Sequence, residues 1–423
     1  MGQKFSLPRG TADILPKDVV AWQHLETSAK KFFSLYNYNE IRTPNFEEVE
    51  LFARSMGQTS DVVQKQILSL ASQKDSQTVL SGLALRPEGT ASVVRSYIQN
   101  GLDRIEPLSK MFYIGPMFRG ERPQKGRLRQ FHQLGIEAIG PDSASPYLDA
   151  EVIALSVNFL KSLGLTGFKL KINTLGSHED KENFSKQLRA DLKPHLTELS
   201  EESQARFERN VFRILDSKSR ADQEIVKSLK LDHSYLSDES LDYYAKVKDA
   251  LRALGIEFEE SIDLVRGLDY YTHTVFEISD SSLGSQDALG AGGRYNTLIE
   301  QLGGGKNIDA IGFALGMERL MLAGADLCAK AEVLKVYILA LDVVAQPQAF
   351  ALLDDLRKAG IRTDMCFKQS SAKSQMRMAD KSGAQYVVIL GEEEIKNKEV
   401  ALKNMDSGDQ ENVKIEELIN KFK

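Results

Sequence analysis

The sequence predicts an α+β protein: an antiparallel sheet flanked by helices, broken by a helical insertion and followed by a separate α/β domain. Three observations predict this. Residues 110–140 form a β-rich block whose second half alternates with period two, the mark of a strand in a hairpin. Residues 177–250 are charge-dense and helical, with no strand-like alternation. Residues 333–423 alternate strands with helices, which implies a small domain with a largely parallel core. A chain of 423 residues has room for two or three domains.

From Lys17 to Tyr38 apolar residues recur at Trp22, Leu25, Ala29, Phe32 and Tyr36, in helical steps of three and four. A short strand is expected at 40–44 (EIRTP), where Pro44 stops the ladder. Helices are expected from Glu47 to Met56, ended by Gly57, from Glu88 to Gln99, and from Glu151 to Leu163, capped by Gly164. After the insertion the β pattern resumes at Phe258, with glycine clusters at 290–293 and 303–305. A boundary falls in LAGADLCAKAE, 322–332. Beyond it, VYILALD, TDMCF, YVVILG and EVALKNM read as strands. PQAFALLDDLRKAG, SAKSQMRMADKSG and IEELINKF read as helices.

Several function classes are excluded. There is no apolar run long enough to span a bilayer and no signal-peptide core at the start. Gly2 and Ser6 fit the loose myristoylation pattern, but one acyl chain binds membranes only marginally, so a cytoplasmic protein without membrane attachment is expected. Cys328 and Cys366 are too few and too far apart for a disulfide framework or a thiolate metal site. His24, His132, His178, His195, His233 and His273 never fall at zinc-ligand spacing, so no protein-bound metal is expected. A net charge of −6 excludes a basic nucleic-acid coat and leaves only local patches for such contacts.

The chemistry concentrates in MFYIGPMFRGERPQKGRLRQFHQLGIEAIG. Read with period two, one face carries Arg127, Arg129, Phe131, Gln133, Gly135 and Glu137. The other carries Leu128, Gln130, His132, Leu134, Ile136 and Ala138. Arg119 and Glu121 share a face in the first half, and ERPQKG makes the turn. Such a face is either a solvated side of an antiparallel sheet or a floor for an anionic, aromatic ligand. Arginine forks match phosphate oxygens bidentately, and Phe131 can stack a flat base. Elsewhere LRPEGT presents Glu88 and Thr90 at a turn. LVRGLDYYTHTVFE places Arg266, Tyr270 and Tyr271 on a strand-like segment. AGGRY supplies backbone without side chains, and IGFALGMERL puts Arg319 at a strand-to-helix turn behind Gly316. Each piece alone is weak; their combination favours the ligand floor.

These blocks resemble the three signature motifs of the class II aminoacyl-tRNA synthetases. The first helix with EIRTP resembles motif 1, FRGERPQKGRLRQFHQLGIE motif 2, and IGFALGMERL motif 3. LVRGLDYY and AGGRY resemble stretches characteristic of the histidyl-tRNA synthetases. The resemblance runs from RGTADILP to the C-terminal domain. It implies a class II catalytic domain over 1–325, with the insertion at about 177–250, and an anticodon-binding domain over 333–423. It implies ATP, carried with Mg2+, histidine and tRNA(His) as partners, and a homodimer built through motif 1.

Position by position, the resemblance implies Arg119 on the α-phosphate of ATP, Glu121 at the adenine amino group and Phe131 stacked on the ring. Arg127 and Arg319 would hold the outer phosphates. Glu88, Thr90 and Gln133 would hold the amino acid ammonium. Arg266 would sit by the carboxylate and the α-phosphate, acting with Arg119 in catalysis. Glu137 and Tyr271 would read the imidazole, with Tyr270 nearby. Arg122 and Gln124 would approach the acceptor end of the tRNA. The chemistry agrees: a carboxylate is already a nucleophile at neutral pH, so bringing it to a phosphate needs cations and alignment rather than a general base. Neutral imidazole offers one donor and one acceptor, which a carboxylate and a phenol can read.

One departure stands out. The family commonly reads AGGRYDGL, whereas this chain has AGGRYNTL, with Asn296 and Thr297. If the acidic residue only orients a neighbour, Asn296 can substitute; if its charge is needed, Asn296 puts activity in doubt. Two rival readings share the fold. A synthetase-like regulatory subunit of histidine biosynthesis typically lacks the second domain and degrades the motifs. A synthetase for proline, glycine or threonine would not carry RGLDYY with AGGRY. Lys368, Lys373, Arg377 and Lys381 in the last domain are compatible with either a solvated face or an RNA contact.

Overall fold

The computed structural model describes residues 5–57, 60, 62–74, 77–124, 126–325 and 334–422. Gly2, Cys328 and the 326–332 part of the boundary segment lie outside the described residues. The chain divides into two compact units, Met1–Cys328 and Ala329–Lys423.

The larger unit is organised by an eight-stranded sheet. Its order is Asn39–Glu40, Ser109–Phe118, Gln130–Pro141, Ile308–Gly316, Ala288–Arg294, Thr272–Ser279, Lys169–Thr174 and Glu259–Glu260. The two end pairings are parallel and the pairings between are antiparallel. Strand Gln130–Pro141 is central: its Glu137 lies opposite Met111 on one side and Gly312 on the other. The alternation expected of it holds. Leu134, Ile136 and Ala138 enter the core beneath the helices Pro16–Ser34 and Pro146–Ser162, leaving Gln133 and Glu137 on the opposite face.

Local chemistry sets the helix ends. Pro16 and Pro146 occupy first-turn positions, where the missing N–H costs nothing. Ser145 caps the second helix by accepting from the Tyr147 amide, so it begins at Pro146 rather than at the expected 151. The buried stripe of the first helix is Leu25, Ala29 and Phe33, with Phe32 and Tyr36 only partly covered.

EIRTP is barely a strand. Pairing covers Asn39–Glu40, with one more bond from the Ile41 amide to the Phe112 carbonyl at 2.8 Å. The chain then turns to meet the buried Arg86, whose guanidinium donates to the Thr43 and Pro116 carbonyls at 3.1 and 2.9 Å. Glu47 and Glu48 belong to a small three-stranded sheet, made by Phe46–Glu48, Leu68–Lys74 and Gln77–Leu85, and the helix starts only at Val49. Glu88 and Gly89 likewise precede their helix, which is Thr90–Gln99.

The insertion is helical as expected: His178–Leu192, Glu201–Arg209, Phe212–Leu215, Arg220–Ser228 and Asp238–Ala253. Its members divide between two cores. Phe184, Leu188, Phe207, Ile214 and Ile225 join the cluster that includes Tyr270 and Tyr271. The last helix instead places Tyr244, Val247 and Leu251 against the cluster behind the sheet.

The smaller unit has the strand order Thr363–Met365, Val336–Ala340, Tyr386–Leu390, Glu399–Asn404 and Gln410–Lys414. The first three are parallel, as the strand–helix alternation implies, and the last two pair antiparallel. The expected helices form at Gln346–Lys358, Ala372–Ser382 and Ile415–Phe422. Strand Gln410–Lys414 was not expected, because only Val413 in QENVK is buried and the apolar signal is too thin.

Candidate active site

On the exposed face of the large sheet lies a cleft of about 1050 Å³, solvent space included. Three supports frame it: strand Gln130–Pro141 as floor, the turn ahead of helix Thr90–Gln99, and the segment 264–271, which meets that turn through the hydrogen bond from Tyr270 to Glu88. Arg119, Glu121, Arg127, Phe131, Arg319, Glu88, Thr90, Gln133, Glu137, Arg266, Tyr270 and Tyr271 all line it. These segments lie far apart in the chain and are brought together by the fold.

At the cationic end, Arg127 lies 3.4 Å from Glu121 and Arg119 3.9 Å from the same carboxylate. Arg119 donates from Nε to the Pro87 carbonyl at 2.9 Å, and its guanidinium carbon lies 5.1 Å from the centre of the Phe131 ring. Arg319 enters from the first turn of helix Met317–Leu322 and donates to the carbonyls of Gly126 and Ala288, at 3.1 and 2.5 Å. Burial lowers the pKa of Arg319, and the positive Arg127 and Arg119 lower it further. Arg119 is lowered by burial too, against the pull of Glu121 and Glu88. Cations held together in this way are relieved by a polyanion.

At the other end two carboxyl groups are buried. Glu137 accepts from the Thr90 hydroxyl at 2.6 Å and from the Tyr295 hydroxyl at 2.5 Å. Burial pushes its pKa up to about 8, although both hydroxyls favour the charged form. Gly312 must lack a side chain, since a Cβ there would collide with this carboxylate. Glu88 accepts from the Ala91 amide at 2.9 Å and the Tyr270 hydroxyl at 3.1 Å, and burial raises its pKa as well. Gln133 Oε1 is buried without a hydrogen-bond partner, an acceptor suited to a ligand cation. Arg266 donates to Glu277 at 2.6 Å, while its Nε is buried without a partner. Burial works against the Arg266 charge and Glu277 outweighs it, so its pKa rises.

Some expectations need correction. Period two holds only from Gln130 onward. Gln124 and Arg127 close a turn through their main chains, and the Arg129 amide bonds to the Gly10 carbonyl. Leu128 therefore lines the cleft, while Arg129 is exposed and donates to the Glu121 carbonyl at 3.2 Å. Arg266, Tyr270 and Tyr271 sit on irregular chain, since the strand starts at Thr272. Arg122 and Gln124 are exposed in the hairpin loop, outside the cleft lining. Tyr295 and Glu277 escaped the sequence reading. AGGRY and VFE contain both, but nothing local pairs Tyr295 with Glu137 or Glu277 with Arg266.

The Asn296 departure has a physical answer. Its Oδ1 accepts from Arg294 at 3.1 Å and from the Ala310 amide at 3.2 Å, away from the cleft lining. Arg294 is fully buried and paired with Asp149. Asn296 thus contacts Arg294 and the Ala310 amide through its side-chain oxygen.

An antiparallel sheet carrying a motif 2 hairpin with Arg119 and Arg127, met by Arg319 from the strand-to-helix turn, defines a class II aminoacyl-tRNA synthetase fold with a separate C-terminal domain. A family model described as Histidyl-tRNA synthetase matches residues 10–320, and one described as Anticodon binding domain matches 335–423. The chain is 42% identical to a histidine–tRNA ligase from Pediococcus pentosaceus, over 98% of each chain. It is 44% identical to one from Moorella thermoacetica, over 98% of this chain and 97% of the other. The crystal structure of apo histidyl-tRNA synthetase from S. aureus superposes with a TM-score of 0.78 at 36% identity, covering 99% of this chain and 100% of that one. The chain belongs to the histidyl-tRNA synthetase family.

Proposed function

We propose that the cleft activates histidine with ATP to histidyl-adenylate and passes the histidyl group to tRNA(His). One observation supports this above all. A cationic end suited to a polyanion and a buried carboxyl–phenol end suited to an imidazole share a single cleft.

In this reading Arg119, Arg127 and Arg319 take the phosphates, Phe131 the adenine face and Glu121 its amino group. Glu88, Thr90 and Gln133 receive the ammonium. Arg266, with a buried donor already free, takes the carboxylate and the α-phosphate. The amino acid carboxylate attacks the α-phosphorus, and pyrophosphate departs. The protein contributes alignment and charge, and no base is needed. Glu137 and Tyr271 read the imidazole, and Tyr295 fixes the Glu137 carboxyl in place. A buried polar site of this kind rejects look-alikes by about 10⁴–10⁵, because a wrong ligand leaves donors and acceptors unpaired.

ATP enters as its magnesium complex. Arg122 and Gln124, exposed on the hairpin, face the tRNA acceptor end. Residues 1–325 form the catalytic domain and 333–423 bind the anticodon. No helix among the described residues is long and apolar enough to cross a membrane. The compartment we propose for the protein is the cytoplasm. It works as a homodimer, a reading supported by Phe46, Val79 and Leu80, exposed on the small three-stranded sheet. Sedimentation showing a fully active monomer would overturn that.

The test is amino-acid-dependent exchange of pyrophosphate into ATP, run with each of the twenty amino acids and no tRNA. Exchange with histidine alone is expected. Exchange with another amino acid would overturn the specificity, and exchange with none would overturn the activity.

A further inference from the structure

The insertion grips the segment that carries Arg266, Tyr270 and Tyr271. Lys181, in the first turns of helix His178–Leu192, donates to the main-chain carbonyls of Asp269 at 2.7 Å and Tyr271 at 2.9 Å. Holding these two oxygens fixes the peptide plane leading into Tyr270 and the one leading out of Tyr271. A second tether runs from Asn210 Nδ2 to the Asp269 carboxylate at 2.7 Å. Beneath them, Tyr270 donates to Glu88, and the two tyrosine rings touch, with centres 4.6 Å apart.

Lys181 is an odd choice for its place. The start of a helix favours negative charge, and this helix supplies it with Glu179 and Asp180. A lysine there works against the dipole, and burial works against its charge. Its base is nonetheless held firmly. Asp180 closes a capping box with Ser177 and accepts from the Ser237 amide and the Ser240 hydroxyl, at 2.8 and 2.6 Å. The segment it holds has no strand pairing of its own until Thr272.

We infer that Lys181 and Asn210 are positioning residues for the amino-acid subsite, through which the insertion sets the aim of Tyr270 and Tyr271. This rests on the reading of the cleft given above. The insertion is then a part of the histidine site, not only an appendage to it.

The test compares wild type, Lys181→Met, Lys181→Arg and Asn210→Ala in pyrophosphate exchange, varying the amino acid and ATP separately. Lys181→Met is expected to raise the KM for histidine about tenfold, the loss of a charged donor shared by two carbonyls. The KM for ATP stays within about twofold, because that end of the cleft is held by other elements. Lys181→Arg is expected to recover part of the loss. A histidine KM within about twofold of wild type would overturn the inference. So would a parallel rise in both KM values with a fall in thermal stability, the mark of a merely structural residue. Should Lys181→Met not fold, Asn210→Ala decides: the same split, at about threefold, supports the inference, and its absence overturns it. If the wild type activates a different amino acid, the reading of the cleft fails, and the tethers are judged on the KM of that amino acid.

Discussion

Glu137 illustrates how much of a catalytic pocket is settled at a single side chain. Its pKa stands at about 8 in the folded chain against an ordinary 4.5, because burial outweighs the two hydroxyls that donate to it. Between those values the folded protein holds a proton that the unfolded chain releases. Stability therefore falls as pH rises through that window and stays lowered above it. Glu137→Gln removes the titration, and the Thr90 and Tyr295 hydroxyls can rotate to suit the amide. The variant is expected to melt above wild type at pH 9, with the gap closing toward pH 5. Its histidine KM should rise by about tenfold or more, since one acceptor becomes a donor. Melting curves across pH and exchange kinetics check both halves.

Arg266→Ala is expected to lower adenylate formation by about 10²–10³, as loss of a donor at developing charge does. A drop of less than about threefold in the exchange rate would remove Arg266 from the reaction. The structure adds a second consequence. Glu277 loses its 2.6 Å partner, so the variant should also melt lower than wild type. Arg266 was legible from its motif, whereas its dependence on Glu277 was not.

At the scale of elements, the insertion is held by a polar clamp as well as by its buried apolar side chains. Asp222 is fully buried and accepts from the Ser200 amide and from the hydroxyls of Ser200, Ser203 and Ser217, at 2.8, 2.7, 2.6 and 2.6 Å. This joins helix Glu201–Arg209, helix Arg220–Ser228 and the chain that follows helix Phe212–Leu215. Burial alone would raise the Asp222 pKa, but these donors outweigh it and hold it below 3.8. The clamp therefore contributes stability above the ordinary aspartate pKa, and that stability is lost as pH falls through the lower folded value. Asp222→Asn should destabilise the protein by about 1–3 kcal/mol at pH 7. The difference should shrink as pH falls below about 3.8. Limited proteolysis within 200–230, followed against pH, would show it.

Helices of this module were legible as helices from their charge density and spacing. Their division between two cores was not, because Phe184 and Val247 look alike in sequence and differ only in which cluster receives them. The hairpin shows the same limit within one element. Alternation correctly sorted residues 130–138 into faces, since neighbouring strands enforce the pleat there. It failed at 127–129, where a turn and the Gly10 carbonyl replace the ladder.

At the scale of the whole molecule, the two units carry separate apolar cores. The described residues that line the cleft, from Glu88 to Arg319, belong to the larger unit. Deleting 333–423 is therefore expected to leave histidine activation nearly intact while weakening tRNA charging strongly. Exchange and aminoacylation assays on the same truncated chain check this, and equal loss of both would contradict the division of labour.

The amino-acid pattern alone revealed the class of fold, most of the longer elements and twelve of the residues that line the cleft, but not Tyr295 or the strands Leu68–Lys74 and Gln77–Leu85. It could do so because strand and helix periods, turn residues and the motif blocks are short-range properties, written within a few dozen residues. How those side chains act on one another depends on long-range contacts. Thr90 meets Glu137 across 47 positions and Tyr295 meets it across 158. Lys181 reaches Tyr271 across 90. Such pairings raise a carboxyl's pKa, hold the main chain at a tyrosine and give Asn296 its partners. They depend on which surfaces the sheet brings within 3 Å of each other, and no local pattern in the chain encodes that.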